Sequence, residues 1–454
     1  MNIGLRLFFV VILSYVCNAQ GYPKVVCYYD GKGNTRQGQA KFDIAYLEPA
    51  LQFCTHLIYG YAGIDPQTYK IKPLNDHLDV QQHNFQQITN LKKRFQGLRV
   101  LLSVGGDRDV IPDTDKALTY TNLLEVSDRR HTFISSAKDF IKNYGFDGID
   151  LAWQMPRTKP KKIHSAIKKF FIGIKHVFAG ESIVDEKAAE HREQFTTFVR
   201  DFRTALRRDA LLLTLSVLPN VNSTVYYDVH QIAPLLDFVT LQNFDFYEPE
   251  RNPYEADYTS PLYDVYGRKV DENGDFQVRY WLSKGCPGNK IIYGLQTFGR
   301  TWKLSSASGE TGTPPVTIDS GAGEAGVYTQ EPGLLSYNEV CAKLPTTAEI
   351  RAGYVGKLRK VNDPTPKKAA ADESWQTIDV TKRFGTYAYK LPKDGQDGIW
   401  VSFQDPDTAA QIASYIRSRG LGGVAIVDLT LDDFKGLCTG NKYPILRASA
   451  NMNL

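Results

Sequence analysis

The sequence predicts an α/β fold, a (β/α)8 TIM barrel with a small α+β subdomain inserted between its seventh strand and the helix that precedes its eighth. Three observations lead there. Eight short apolar runs recur along the chain, helix-like segments separate them, and one late stretch is far longer than a connection requires. The runs are Val25–Tyr29, Leu57–Tyr61, Val100–Val104, Gly148–Trp153, Leu211–Leu218, Phe238–Phe244, Lys290–Gln296 and Gly423–Leu429. Several are apolar at nearly every position, as parallel strands covered on both faces are.

The helices show in their spacing. Phe85, Ile88, Leu91 and Phe95 share one helical face. So do Phe133, Ile134, Ala137, Phe140 and Ile141, with Ser127 or Asp128 placed to cap that helix. A third helix over Asp185–Arg207 turns Phe195, Phe198, Val199, Phe202 and Leu206 inward. Strands alternating with helices close as a barrel. Residues 303–399 are rich in Gly, Thr, Ser and Pro at first, then carry strand-like pieces such as Thr386–Tyr389. That length reads as the inserted subdomain, leaving 20–302 and 400–454 for the barrel.

The first residues predict a secretory leader over 1–19. Arg6 supplies its positive charge, Leu7–Val16 its short apolar run, and Cys17 and Ala19 the small residues before cleavage at Gln20. No later segment reaches the roughly 20 uncharged apolar residues of a membrane helix. A secreted, soluble chain without a membrane span is therefore expected, and a monomer. The 454 residues are 42% hydrophobic and 23% charged, a globular balance, and a net charge of +4 does not argue for nucleic acid. Five cysteines follow the leader: Cys27, Cys54, Cys286, Cys341 and Cys438. In an oxidising compartment an odd number implies two disulfides and one free thiol. No CxxC pair and no nearby His points to a metal, and no cofactor is implied. Asn222-Ser223-Thr224 is an N-glycosylation sequon.

The chemistry is concentrated in Asp147-Gly148-Ile149-Asp150-Leu151-Ala152-Trp153-Gln154-Met155-Pro156. On a strand, alternate residues share a face. Ile149, Leu151 and Trp153 would pack, while Asp150, Ala152 and Gln154 would face the barrel's functional end. That face offers one carboxylate, one methyl and one neutral amide. Directly after it comes a basic stretch with Arg157, Lys159, Lys161, Lys162, Lys168, Lys169 and Lys175, and no acid before Glu181. It reads either as a solvated loop or as a docking surface for an acidic partner such as a sulfated glycan or receptor. Tyr28, Tyr59 and Tyr61 on the first two strands read as barrel packing, or for Tyr28 and Tyr61, together with Gln154 and Asp245, as glycan-facing.

The Gln154 strand resembles the signature of family 18 glycoside hydrolases, the chitinase family, whose pattern runs Asp-Gly-x-Asp-x-Asp-Trp-Glu-x-Pro. Asp147, Gly148, Asp150, Trp153 and Pro156 match it; Ala152 stands at the central Asp and Gln154 at the catalytic Glu. Ser103-Val104-Gly105-Gly106, Gly294 with Phe298-Gly299-Arg300, and Gly422-Gly423 with Leu431-Asp432-Asp433-Phe434 resemble further family motifs. The likeness covers nearly the whole chain after the leader, and the 303–399 stretch is similar to the family's α+β insertion. By that resemblance the disulfides are Cys27–Cys54 and Cys341–Cys438, with Cys286 free. A narrower resemblance is to the insect imaginal disc growth factors. It is carried by Phe146–Ala152 with the basic stretch, Arg36-Gln37-Gly38, Leu218–Thr224 and the tail Leu437–Gly440 with Tyr443–Arg447.

The resemblance also implies what is missing. Family 18 hydrolysis is substrate-assisted: the Glu protonates the leaving oxygen and the central Asp holds the N-acetyl group. Gln154 is not an acid, and a general acid contributes about 10²–10⁴-fold. Ala152 can neither orient the amide nor offset positive charge. Phe244 lacks the hydroxyl of the family's Met-x-Tyr-Asp, although Asp245 is kept. Val427 and Asp107 stand where the family carries Trp, so the sugar platform is reduced. The retained Asp147, Asp150 and Asp245 are expected to be hydrogen-bonded carboxylates inside the barrel mouth, without a catalytic role. The expectation is a growth factor acting through a cell-surface receptor or extracellular glycan. A lectin for chito-oligosaccharides and a residual hydrolase are the competing readings.

Overall fold

The computed structural model describes residues 23–109, 118–158, 185–264, 268–306, 308, 314–318, 321–344, 359–361 and 385–451. The expected leader lies outside them. Eight parallel strands form a closed ring: Lys24–Asp30, His56–Ile64, Arg99–Gly105, Gly148–Ala152, Leu212–Val217, Phe238–Gln242, Ile291–Gln296 and Gly423–Val427. Each pairs with its neighbours in chain order, and the eighth closes on the first through Val25↔Val424 and Cys27↔Ile426. A short strand, Ile71–Pro73, adds antiparallel to the end of the second.

Strand alternation sorts the side chains into two cores. Val25, Cys27, Tyr29, Leu57, Tyr59, Val100, Leu102, Ile149, Leu151, Leu213 and Leu215 face the surrounding helices. Val26, Tyr28, Ile58, Leu101, Phe238, Ile292 and Ala425 fill the interior of the barrel. Trp153 lies in the outer core, edge-on to Tyr120 at 4.9 Å and tilted against Phe198 at 4.7 Å. The helix over Ala188–Arg207 buries Phe195, Phe198, Val199, Phe202 and Leu206, the stripe its sequence spaces at helical intervals.

The helix over Ser127–Tyr144 corrects one expectation. Ser127 is already helical, so the cap position falls on Val126, which has no side-chain acceptor. The cap expected from Ser127 or Asp128 is not made. At the other end Gly145 takes φ +76°, and its N–H reaches the carbonyls of Ile141 and Lys142.

A second sheet follows the seventh barrel strand. It is antiparallel and orders Leu334–Ser336, Phe298–Leu304, Gly398–Phe403, Thr386–Lys390 and Arg359–Val361. Trp302 and Trp400 pack edge-on across it at 5.6 Å, and Phe246, Tyr247 and Tyr258 from the connection after the sixth barrel strand join the same cluster. The sheet thus packs against the carboxyl-terminal face of the barrel. Disulfides link Cys27 to Cys54 and Cys341 to Cys438, with Cα separations of 5.9 and 6.0 Å. The second spans 97 residues and holds the helix Tyr337–Lys343 to the tail. Cys286 is a buried thiol whose pKa burial pushes up to about 11.

Gly148 opens the fourth strand where a Cβ would lie 2.3 Å from the backbone oxygen of Leu212 on the adjacent strand. Backbone cannot yield as a side chain does, so Gly148→Ala is expected to cost about 1–3 kcal/mol by overpacking. Gly97→Ala, with open space but a φ of +89°, should cost about 1–2 kcal/mol through backbone strain alone. Urea unfolding of the two variants checks this; a Gly148→Ala midpoint equal to wild type would contradict the close approach.

Candidate functional site at the barrel mouth

Asp150 stands at the centre of the barrel interior. Its carboxylate accepts from Ser103 Oγ at 2.8 Å, Thr214 Oγ1 at 2.7 Å and Ser216 Oγ at 2.9 Å, with the Tyr28 hydroxyl at 3.5 Å. Tyr28 also meets Ser216 Oγ at 2.6 Å and Thr240 Oγ1 at 3.4 Å. Register creates this layer: Ser103 pairs with Asp150, and Asp150 with Thr214, on three successive strands. Full burial raises the Asp150 pKa, against the opposing pull of the hydroxyls. Tyr28 is itself 1% exposed, below the mouth and within the barrel interior.

The strand ladder ends at Ala152, and the residues beyond it follow the loop after the third strand. Gly106 N–H donates to the Ala152 carbonyl at 2.9 Å. Ala152 is fully buried under that loop. Gln154, 5% exposed, turns its Nε2 onto the backbone oxygens of Gly106 at 2.6 Å and Asp109 at 3.1 Å. Two carbonyl acceptors fix which end of the amide faces them, and a carboxylate could not replace it without carrying a proton. The same loop is held by Asp109, whose carboxylate accepts from Ile64 N at 2.9 Å and Tyr120 Oη at 2.7 Å.

Asp147 does not join this site, which corrects its expected place inside the mouth. It precedes the fourth strand, at the amino-terminal end of the barrel, where it accepts from Val100 N at 2.8 Å and pairs with Lys92 at 3.0 Å. Asp150 and Asp147 sit three residues apart on one extended segment, and a strand rising about 3.3 Å per residue carries them to different levels.

The remaining groups do meet at the carboxyl-terminal face. Phe244 and Val427 are buried with Phe298, Leu334 and Leu431 in one apolar cluster continuous with the barrel interior. Asp245 takes a left-handed φ of +56° and receives both Arg300 Nε and a terminal nitrogen at 2.7 Å. That Arg300 nitrogen also lies 3.3 Å from Glu248. Burial and the Asp245 carboxylate push Glu248 up to about 7, opposed by Arg300 and Arg157. Arg108 pairs with Asp30 at 2.6 Å. Asp428, buried near Asp30, is pushed up to about 6. Tyr61 is half-buried, its ring over Gly106, where a Cβ would come within 2.5 Å of it.

Arg157, the first cation of the basic stretch, is ion-paired with Asp107. Lys159, Lys161, Lys162, Lys168, Lys169 and Lys175 lie outside the described residues. Asn222 caps the short helix Ser223–Tyr226, its Oδ1 accepting from Thr224 N at 2.9 Å and Thr224 Oγ1 at 2.7 Å. Sequence reasoning missed Asp109, Glu248 and Arg108. Only the position of Arg108 and Asp109, just after Gly105-Gly106, hinted at them, and nothing in the order of residues marks Glu248.

The barrel, the Asp150 layer and the motif at its mouth define a class of protein that comparison identifies. The profile of "Glycosyl hydrolases family 18" matches residues 24–432, and the chain belongs to that family. Within it, the chain is 49% identical to "Chitinase-like protein Idgf4" of Glossina morsitans morsitans, over 97% of this chain and 96% of that one. It is 48% identical to "Imaginal disk growth factor 6" of Drosophila melanogaster, over 93% and 92%. Among solved structures, the catalytic domain 2 of the Ostrinia furnacalis Group II chitinase superposes with a TM-score of 0.73 at 27% identity, over 94% of this chain and 96% of that one. Human YKL-39, described as "a pseudo-chitinase with retained chitooligosaccharide binding properties", gives 0.70 at 25%, over 95% and 99%.

Gln154→Glu sets a carboxylate against two carbonyls. It should lower stability at pH 7.5 by about 1–3 kcal/mol. The loss should shrink toward pH 5 as the new acid gains its proton. Equal melting of both proteins at pH 7.5 would show that the amide does not hold the loop.

The wild type should follow the same sign. Burial raises Asp150, Asp79 and Asp428 (the latter two to about 6), and Glu248 and Asp432 to about 7. The native state then keeps protons that an unfolded carboxylate, with a pKa near 4, has lost. Stability from these groups is full below about 4 and falls as pH rises toward 7. His56, pushed down to about 4 by burial, works the other way between about 4 and 6.5. Five acids outweigh one imidazole, so calorimetric melting should be higher at pH 6 than at pH 7.5.

Proposed function

We propose that this chain is a secreted, non-hydrolytic chitinase-like growth factor that promotes cell proliferation, polarisation or motility through a cell-surface receptor or an extracellular glycan. The observation that carries the non-hydrolytic part is Gln154: the amide at the family's acid position is committed to the Gly106 and Asp109 carbonyls. Buried Ala152 in place of the central Asp supports the same reading, as do the apolar Phe244 and Val427. The growth-factor part rests on the named relatives. The proposal includes a leader over 1–19, a barrel over 20–302 and 400–454, an inserted subdomain over 303–399, and a glycan on Asn222. The basic residues from Arg157 to Lys175 are its candidate partner surface, although Arg157 already has Asp107 as a partner.

A second reading, a chito-oligosaccharide lectin, draws on the pseudo-chitinase YKL-39. Half-buried Tyr61 at the mouth, beside Gly106, is the aromatic best placed to serve it. Titration calorimetry with chitotetraose separates the two, and the absence of heat leaves the growth-factor reading alone.

Purified protein should give no turnover of a fluorogenic chitobioside and should raise proliferation or motility in responsive insect cells. Turnover that Gln154→Leu abolishes would overturn the first part, and inert behaviour across such cells the second. Ala152→Asp with Gln154→Glu should stay well below a true chitinase, since Phe244, Val427 and Asp107 remain. Activity near that of a family chitinase in the double variant would contradict this account of the site.

A further inference from the structure

A cavity of about 320 Å³ lies in the outer helical ring, away from the barrel mouth. Four helices form it: Ala188–Arg207, the short Ser223–Tyr226 and Val229–Ile232, and Gly274–Ser283. Its size is at the lower end of the ~300–1,000 Å³ usual for small-molecule sites.

The lining is cationic and aromatic. Arg192, His230 and Lys284 converge on it, with Tyr280 between them. Arg192 makes one long contact, 3.4 Å to the Thr224 carbonyl. Lys284 Nζ is held 5.8 Å from the centre of the Tyr280 ring. Among the described residues, neither Arg192 nor Lys284 pairs with a carboxylate. The one acid in the lining, Asp228, is committed to Gln231, whose Nε2 it accepts at 2.9 Å. Tyr227, fully buried at the same cavity, carries a hydroxyl with no hydrogen-bond partner.

Arg192 is half-buried and Lys284 exposed at the rim, and an oxyanion seated between them would gain charge-assisted hydrogen bonds from both. An aromatic ring beside them suits a ligand with an apolar face as well as a charge. A sugar ester combines these features: a ring face for Tyr280, hydroxyls for the exposed His230 imidazole, and a tetrahedral oxyanion for Arg192 and Lys284. We propose that this cavity binds a sugar of one or two rings bearing a sulfate or phosphate group. The site is separate from the degenerate cleft and does not depend on the growth-factor reading.

The test is titration calorimetry of the full chain with N-acetylglucosamine 6-sulfate, N-acetylglucosamine 6-phosphate, N-acetylglucosamine and inorganic sulfate. At least one ester should bind about tenfold or more tightly than the neutral sugar and than inorganic sulfate, the scale of one charge-assisted contact. Whichever ester binds more tightly names the oxyanion. Arg192→Ala with Lys284→Ala should lose about tenfold or more. Lys284→Glu, a change on an exposed side chain, should lose a similar factor and serves if the double variant does not fold. Neutralising Lys159, Lys161 and Lys162 should leave the ester affinity unchanged. Equal binding of ester and neutral sugar, equal binding of inorganic sulfate, wild-type affinity in Lys284→Glu, or a loss confined to the neutralised lysines would each overturn the proposal.

Discussion

A carboxylate buried at the centre of a barrel is costly unless hydrogen bonds replace the water it has lost. Here Asp150 finds them in Ser103, Thr214 and Ser216, with Tyr28 and Thr240 extending the network. The hydroxyls that bond Asp150 come from three strands other than its own, each at an inward position. A slip of one residue in any of these strands would turn its hydroxyl to the helical side and leave Asp150 short of a donor. The polar layer therefore constrains the register of the barrel, and the apolar residues above and below it pack around that constraint.

The mouth above this layer is organised by a different economy. An acid meant to give up a proton needs room and an exchangeable environment. The amide of Gln154 has neither, and its two backbone acceptors make it a support for the loop carrying Gly106 and Asp109. Around it, charge is matched in place: Asp245 with Arg300, Asp30 with Arg108, Asp107 with Arg157. Phe244, Phe298 and Val427 add an apolar floor. These pairs occupy the charged groups of the mouth, while Gln154 Oε1 is buried there without a hydrogen-bond partner. The outer cavity differs in charge: among the described residues its Arg192 and Lys284 have no carboxylate partner.

Much of this was legible in the chain itself. All eight barrel strands fall on apolar runs, because a strand covered on both faces must be apolar along its length. The inward stripe of the helix Ala188–Arg207 was equally plain, since its period is local. Local signals failed at the edges. Ser127 looks like a cap, yet the helix already includes it and places Val126 at the cap position. Asp147 looks like a companion of Asp150, yet it pairs with Lys92 at the opposite end of the strand from Gln154. Asp109 and Glu248 carry no local pattern that marks them, since Ile64 and Arg300, which place them at the mouth, lie tens of residues away in the chain.

The sequence by itself determined the barrel, the family motif, and the chemical identity of each group in it: that residue 154 is an amide and residue 152 a methyl. Covalent identity and strand period are local properties, and both can be read in order. Only the tertiary structure decided what those groups touch. Whether an amide faces solvent, a sugar or two backbone carbonyls depends on how the loops after the third and fourth strands meet, residues some 45 positions apart. The same holds for Arg192, His230 and Lys284, scattered over three helical segments and joined only where the barrel wraps its helices together.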